Sequence, residues 1–568
     1  MGFFWTVSAT VVLLAITWRF LGSYMAAVFD GRINYLRWLE RLIYRLLAVD
    51  PEQEQSWQRY AGALVVFSGV AILVTYTCMR IQQHIGINPQ HQLDVKPALS
   101  FNTAVSFVTN TNWQNYSGES TMSFFTLMVA LTVQQFVSAS VGIAVAIAMV
   151  RGFVRKDCAT IGNFWADLVR CILYIMVPIS FLFGILWVAQ GAVDTLGASV
   201  HVKNALTGFT QSIARGPMGF IEPIKQLGTN GGGPFNANGA HPYENPTPLT
   251  NLLSLVLVLA IPFALTYTFG KMAGKIREGV ALLGAMVLIF SVWAGIAAYA
   301  EQRPNPAVAR GAAVTHTVVR QKAGNMEGKE VRNGASASSL YNIASTQTST
   351  GSVDSANDSF NPMGGFALLT GMMLGEVTPG GAGSGLYTIL LMAVIAVFIG
   401  GLMIGRTPEY LGKKIQAREV KLAAIGVLVM PVTVLIMTAI AVSIHAGRVG
   451  ALNAGPHGFT EILYAFTSQA NNNGSAFAGL NGNTAFYNVM GAIAMLMGRF
   501  AVMIPCLALG GTLAAKGSVP AGLGTFRTDT PMFSGLVVGV IVIIGGLSFF
   551  PAVSLGPIVE QLSTGKFF

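Results

Sequence analysis

The chain has 568 residues, of which 53% are hydrophobic and only 10% charged, and its mean hydropathy is +0.58. Soluble domains carry about 25% charged residues, so this composition excludes a water-soluble enzyme, a disordered chain and a nucleic-acid-binding module, and points to an integral membrane protein. The formal net charge of +10 suits anchoring at an anionic membrane leaflet before it suggests DNA.

A helix needs about 20 apolar residues to cross about 30 Å of hydrocarbon. Ten stretches qualify, near 3–27, 61–79, 120–150, 171–193, 249–270, 279–300, 366–405, 422–445, 484–515 and 532–552. No Lys or Arg precedes Arg19, so the start lacks the basic region of a cleavable signal peptide and reads as a retained span. Basic residues concentrate in alternate loops, at Arg32 to Arg45, Arg151 to Lys156, Lys271 to Arg277, Arg406 to Lys421, and Lys516 with Arg527. Translocating Lys and Arg is disfavoured, so these loops are expected to be cytoplasmic, and ten spans then place both termini outside. Cys78, Cys158, Cys171 and Cys506 lie far apart with no paired spacing, and the seven histidines form no metal-ligand pattern.

The outside loops before the third, fifth, seventh and ninth spans each hold a semi-apolar segment followed by small polar residues. Their cores are Thr109-Asn110-Thr111-Asn112, Gly228-Thr229-Asn230-Gly231, Thr348-Ser349-Thr350-Gly351 and Asn471-Asn472-Asn473-Gly474. The last residues of successive cores are 119, 120 and 123 residues apart, the mark of a fourfold internal repeat. The segments entering the cores read as half-length helices at 97–109, 216–227 and 455–467, opening on Pro97, Gly216-Pro217 and Gly455-Pro456, and proline suits a first helical turn. The third, about 335–348, has no such proline and is the weakest match. A helix of about 12 residues cannot cross the bilayer, so it must dip in and return, which is tolerated only inside protein or beside a watery cavity.

Three cores end in Gly and one in Asn, the residues that most readily enter positive φ. Backbone bent in this way can aim a row of carbonyls at one axis, where they replace the hydration shell of a cation. Half-helices pointing their C-termini at that axis add the negative ends of their dipoles. The cores contain no carboxylate, which favours a monovalent cation over Ca²⁺ or Mg²⁺. The candidate filter is therefore Asn110, Thr111, Asn112, Thr229, Asn230, Gly231 with Gly232, Ser349, Thr350, Gly351, Asn472, Asn473 and Gly474. The alternative is four polar outside turns of a transporter, with Gly and Asn serving ordinary turn geometry.

These residues resemble the family of potassium-binding A subunits of the Kdp potassium-transporting ATPase, within the superfamily of potassium transporters. The resemblance runs along the whole chain and is most specific at 109–120 (TNTNWQNYSGES), 228–246 (GTNGGGPFNANGAHPYENP), 400–415 (GGLMIGRTPEYLGKKI) and 470–480 (ANNNGSAFAGL). It implies an all-α membrane protein of ten transmembrane helices, with four membrane–pore–membrane repeats around a K⁺-channel-like pore and one flanking helix at each end. The corresponding divisions are 1–30, 31–156, 157–278, 279–418 with a broken second helix, 419–529 and 530–568. It further implies selection of K⁺ from outside a bacterial inner membrane. A P-type ATPase subunit would then move the ion inward by a tunnel leading toward it, with small C and F subunits attached. The chain has no D-K-T-G phosphorylation motif and no G-x-x-x-x-G-K-[ST] loop, so it is not expected to hydrolyse ATP; it needs no cofactor, and K⁺ is its cargo.

Within the seventh span, 375–385 concentrates glycines around Pro379 and cannot be continuous helix. In the resembled family this helix is broken by a loop below the filter, so Gly375, Glu376, Gly380, Gly381 and Gly383 are candidates for a gate; a flexible packing kink is the alternative. Glu376 and Arg499 are ionisable groups inside apolar spans and should find partners. They either face the ion's vestibule or fix helix packing. Gln114 is placed by the resemblance near the ion's passage, with a side-chain amide bracing the filter backbone as the alternative. Glu119 is expected to cap the start of the third span. The basic cluster of Arg406, Lys413, Lys414, Arg418 and Lys421 is expected to be mostly solvated. Two other functions share features with this sequence: a Trk- or Ktr-type translocating subunit driven by ion gradients, and a secondary solute carrier.

Overall fold

The computed structural model describes residues 3–204, 206–305, 324–375, 377–520 and 526–563. It is mostly helical, with ten helices long and apolar enough to cross a membrane among the described residues. They are Phe4–Phe29, Trp57–Arg80, Thr126–Val154, Phe164–Ala189, Pro248–Met272, Ile276–Glu301, Ser384–Met403, Ala417–Ser443, Ala485–Ala514 and Pro531–Leu562. The third, fifth and seventh are mostly buried within the protein, whereas the first and tenth keep most of their surface outward.

Local chemistry explains where the boundaries depart from hydropathy. The fourth span starts seven residues before its apolar run, because Asn163 Oδ1 accepts hydrogen bonds from the N–H groups of Trp165 and Ala166 and caps it. The third starts later than expected. Gly118–Thr121 is a separate helical turn, so Glu119 does not cap that span; its Oε2 instead accepts from Asn236 N at 3.0 Å.

Four shorter helices enter between pairs of spans: Pro97–Val108, Ile221–Leu227, Gly334–Gln347 and Gly455–Ala470. The third is fully formed without the proline its counterparts carry. The second is the truncated one, because Pro217 is bridged to Asp194 in extended backbone and does not open a helix. The seventh apolar stretch is two helices, Pro362–Met373 and Ser384–Met403. The first of these is too short to cross by itself, and the break between them is buried from Val377 to Gly383.

The basic loops do more than set orientation. Arg151 forms a bidentate pair with Asp167 at 2.6 and 2.8 Å, and Tyr60 donates to the same carboxylate, so the ends of the second, third and fourth spans meet at one ion pair. Lys413, expected to be solvated, is buried: its ammonium donates to the backbone carbonyls of Arg155 and Lys516. These carbonyls lie just past the C-termini of the third and ninth spans, where a cation meets the negative ends of two helix dipoles. Lys413→Met keeps the stem and removes the charged donor, whose hydrogen bonds contribute about 1.5–3 kcal/mol each. It should lower the thermal midpoint of the detergent-solubilised protein, while the neighbouring exposed Lys414→Met should not.

Candidate functional site

Each short helix ends in a tight turn built the same way. The backbone N–H of the third core residue reaches back to the carbonyl five residues earlier in its helix: Thr111 to Ser106, Asn230 to Lys225, Thr350 to Ser345 and Asn473 to Ser468, at 2.8 to 3.0 Å. The residues on either side of it have positive φ in every copy: Asn110 and Asn112, Thr229 and Gly231, Ser349 and Gly351, Asn472 and Gly474. The terminal Gly or Asn was legible as a positive-φ position. The left-handed residue two places earlier was not, because Thr229 and Ser349 carry side chains that normally avoid it.

The turns form a closed ring. A Cβ on Gly231 would lie 1.6 Å from the carbonyl oxygen of Thr350, one on Gly351 would lie 2.4 Å from that of Asn473, and one on Gly474 would lie 2.0 Å from that of Thr111. Side chains reinforce these joints and close the one between the first and second turns. Asn110 Nδ2 donates to the Thr229 carbonyl at 3.0 Å, Asn472 Nδ2 to Thr111 Oγ1 at 2.9 Å, and Asn473 Nδ2 to the carbonyls of Ser345 and Thr346. The amides of Asn110 and Asn230 meet at 2.6 Å. Asn112 carries a Cβ where the other copies have none, and the facing residue is Gly232, whose own Cβ would lie 2.8 Å from that of Asn112.

Thr111, Asn230, Thr350 and Asn473 are completely buried, and among the described residues no hydrogen bond reaches their carbonyl oxygens. Buried carbonyls are nearly always paired, and each unmet one costs about 1–3 kcal/mol. Four such oxygens stand at equivalent places in one ring.

Behind the second turn lies a polar network that hydropathy did not reveal. The fully buried Lys225 ammonium bridges Glu222 and Glu244 at 2.7 Å each, and Glu244 also accepts from Phe235 N. Gln114 sits at the turn's outer side, where its amide both donates to the carbonyl of Gly233 and accepts from its N–H, at 2.9 and 3.1 Å. That arrangement braces the backbone at Gly233.

The break in the seventh span lies directly against the turns. Ala382 N donates to Thr229 Oγ1 and Gly380 N to the Gln347 carbonyl, both at 2.8 Å. Gly375, Gly380 and Gly383 have positive φ, and a Cβ on Gly383 would strike the Gly142 backbone at 2.1 Å, so this segment is wedged between the ring and the third span. A Cβ on Gly381 would touch both Thr229 Oγ1 and the Thr348 carbonyl. Arg499 is buried and donates to the Ser138 carbonyl at 2.7 Å, and Ser138 Oγ donates to Asn110 Oδ1. Among the described residues it has no carboxylate partner; Glu376 lies outside them.

The model of the family described as the potassium-transporting ATPase A subunit matches residues 8–562. The chain belongs to that family. A relative from Methylobacterium nodulans, named a potassium-transporting ATPase potassium-binding subunit, is 50% identical over 562 residues, covering 98% of this chain and 96% of the relative. One of the same name from Herminiimonas arsenicoxydans is 49% identical over 583 residues, covering 97% of each. The crystal structure of the potassium transporter TrkH from Vibrio parahaemolyticus shares the fold, with a TM-score of 0.52 at 14% identity over 86% of this chain and 96% of that one.

Gly474→Ala must shift the Thr111 carbonyl as well as strain a left-handed residue, the latter alone at about 1–3 kcal/mol. Its thermal midpoint should fall clearly below that of Gly62→Ala, a span position where a Cβ meets nothing within 4 Å.

Proposed function

We propose that this A-subunit family member binds K⁺ from the extracytoplasmic side of a bacterial inner membrane at the four-turn ring and passes it to a P-type ATPase partner that hydrolyses ATP. The observation that carries this is the set of four buried, unmet carbonyls at equivalent positions, held by turns that contain no carboxylate. Carbonyl dipoles compensate a single positive charge without the anionic ligands that divalent ions recruit. The names of the relatives supply the ATPase context, and small C and F subunits and anionic lipids complete the expected assembly. Both termini lie outside in this reading.

The segment Val377–Gly383 acts as a barrier beneath the filter. It touches the ring through Thr229 and Gln347, so an ion leaving the carbonyls meets it before reaching the cytoplasmic half of the protein. Arg499 sets the field there, one hydrogen-bonded residue behind Asn110. A cavity lined by Gly375, Met430, Asn471 and Gly498 adjoins this level and offers the ion a sideways exit toward a partner. A gradient-driven Trk- or Ktr-type subunit shares the fold; co-purification with a phosphorylatable ATPase favours the present reading, and with a nucleotide-binding gating ring alone opposes it. A secondary carrier would be built around two corresponding broken helices and not four turns.

Gly231→Asp adds a Cβ and a charge beside the Thr350 carbonyl. The K⁺ concentration for half-maximal uptake should rise about tenfold or more, equivalent to about 1.4 kcal/mol, and discrimination against Rb⁺ and Na⁺ should weaken. Unchanged selectivity in a folded complex would contradict the ring's assignment. Deleting 380–382 should raise passive K⁺ leak from vesicles without ATP; an unaltered leak would remove the barrier.

A further inference from the structure

A second cluster lies at the opposite end of the fourth short helix from the ring, and it was not legible in the sequence because Asp358 and Glu560 are far in the chain from His457 and Glu461. His457, in the first turn of that helix, is held on both ring nitrogens: Nδ1 lies 2.9 Å from Glu560 Oε1 on the tenth span, and Nε2 lies 3.2 Å from Asp358 Oδ1 on the loop after the third turn. Glu461, one helical turn beyond His457, brings its carboxylate within 4.8 Å of both the His457 nitrogen and the Asp358 oxygen. Its Oε1 accepts from Asn453, but the side chain is completely buried and Oε2 receives no hydrogen bond. An ionised carboxylate oxygen left unmet inside protein calls for a cation or a proton.

We propose that Asp358, His457 and Glu461 form a divalent transition-metal site of the zinc type. Three features of the geometry carry this. Zinc bonds of about 2.0–2.2 Å at tetrahedral angles place neighbouring ligand atoms about 3.3 Å apart, and the Nε2 to Asp358 separation is 3.2 Å. Glu560 accepts from Nδ1 and so fixes the tautomer that presents the Nε2 lone pair, the carboxylate–histidine arrangement that supports metal-bound imidazole. The ring also stacks on Phe477, with planes 20° apart, which holds its orientation. A mixed imidazole and carboxylate set favours zinc over Mg²⁺ or Ca²⁺, which prefer oxygen ligands alone. Three protein ligands leave the fourth position to water.

The competing occupant is a proton. Burial lowers the His457 pKa, but the hydrogen bonds and charges of Asp358 and Glu560 outweigh it and raise it to about 10. A bound ion would tie the third turn's outer loop to the fourth short helix. That helix leads to Asn473 through Tyr464, whose hydroxyl meets Ser475 at 2.8 Å.

The test uses the full chain in its purified complex, stripped with a chelator and then equilibrated with zinc chloride, with magnesium chloride as control. One zinc per chain should be retained by elemental analysis, with a raised thermal midpoint that magnesium does not reproduce. Glu461→Gln, which leaves the histidine's two ion pairs intact, should lose this zinc, and Glu560→Gln should bind it about tenfold to a hundredfold more weakly. His457→Gln should lose it as well; if that variant does not fold, Glu461→Gln carries the comparison. No zinc above the magnesium control, or equal zinc in wild type and Glu461→Gln, would overturn the site and leave a protonated histidine between carboxylates. Neither result bears on the K⁺ ring.

Discussion

The structure depends on backbone meeting backbone without a side chain between. Three of the four joints of the ring leave no room for a Cβ: Gly231 faces the Thr350 carbonyl, Gly351 that of Asn473, and Gly474 that of Thr111. Such an approach needs glycine for space and positive φ for direction, and each turn then sends its central N–H back into its own helix while its central carbonyl is left unspent. The fourth joint is solved differently. Asn112 keeps a side chain and Gly232 gives way to it, so the ring is quasi-symmetric, and its first quadrant is built from other atoms than the rest.

Four strained turns with unmet carbonyls do not hold themselves. Residues in the left-handed region cost about 1–3 kcal/mol each and persist only where the surroundings over-determine them. Here the surroundings are polar and buried. Asn110, Asn472 and Asn473 reach across to neighbouring turns, Gln114 clamps Gly233, and Lys225 with its two carboxylates fills the space behind the second turn. A satisfied network of this kind rigidifies its site, but removing one member leaves buried charge uncompensated. Farther out, Lys413 and the Arg151–Asp167 pair fasten the span ends on which the turns are mounted.

Spans, half-helices and the positions of the four turns were legible because each rests on a one-dimensional signal: apolar length, proline at a helix start, glycine at regular spacing. What escaped were features fixed by contacts across the chain. Pro217 looks like a helix start but is pinned in a bridge to Asp194, and Glu119 looks like a cap but is taken by Asn236. Lys413 sits in a basic run that reads as solvated, yet two helix ends converge on it. The left-handed Thr229 and Ser349 were hidden for the same reason, since only the packed ring makes that conformation affordable.

The electrostatics of the proposed pathway follow from where formal charge is absent and where it is placed. The ring's core residues offer only dipoles, and in the proposed function these compensate the ion's charge without a carboxylate that would hold it or admit Ca²⁺. Behind the first turn Arg499 is buried and anchored on Ser138, and it stands on the side where Ala382 packs against Gly142. In the proposed pathway a buried guanidinium there would raise the energy of a cation moving straight down past Val377–Gly383. In the proposed mechanism barrier and charge act in the same direction: the backbone wedge would obstruct an axial path sterically and Arg499 would obstruct it electrostatically, so the ion's easier course is lateral.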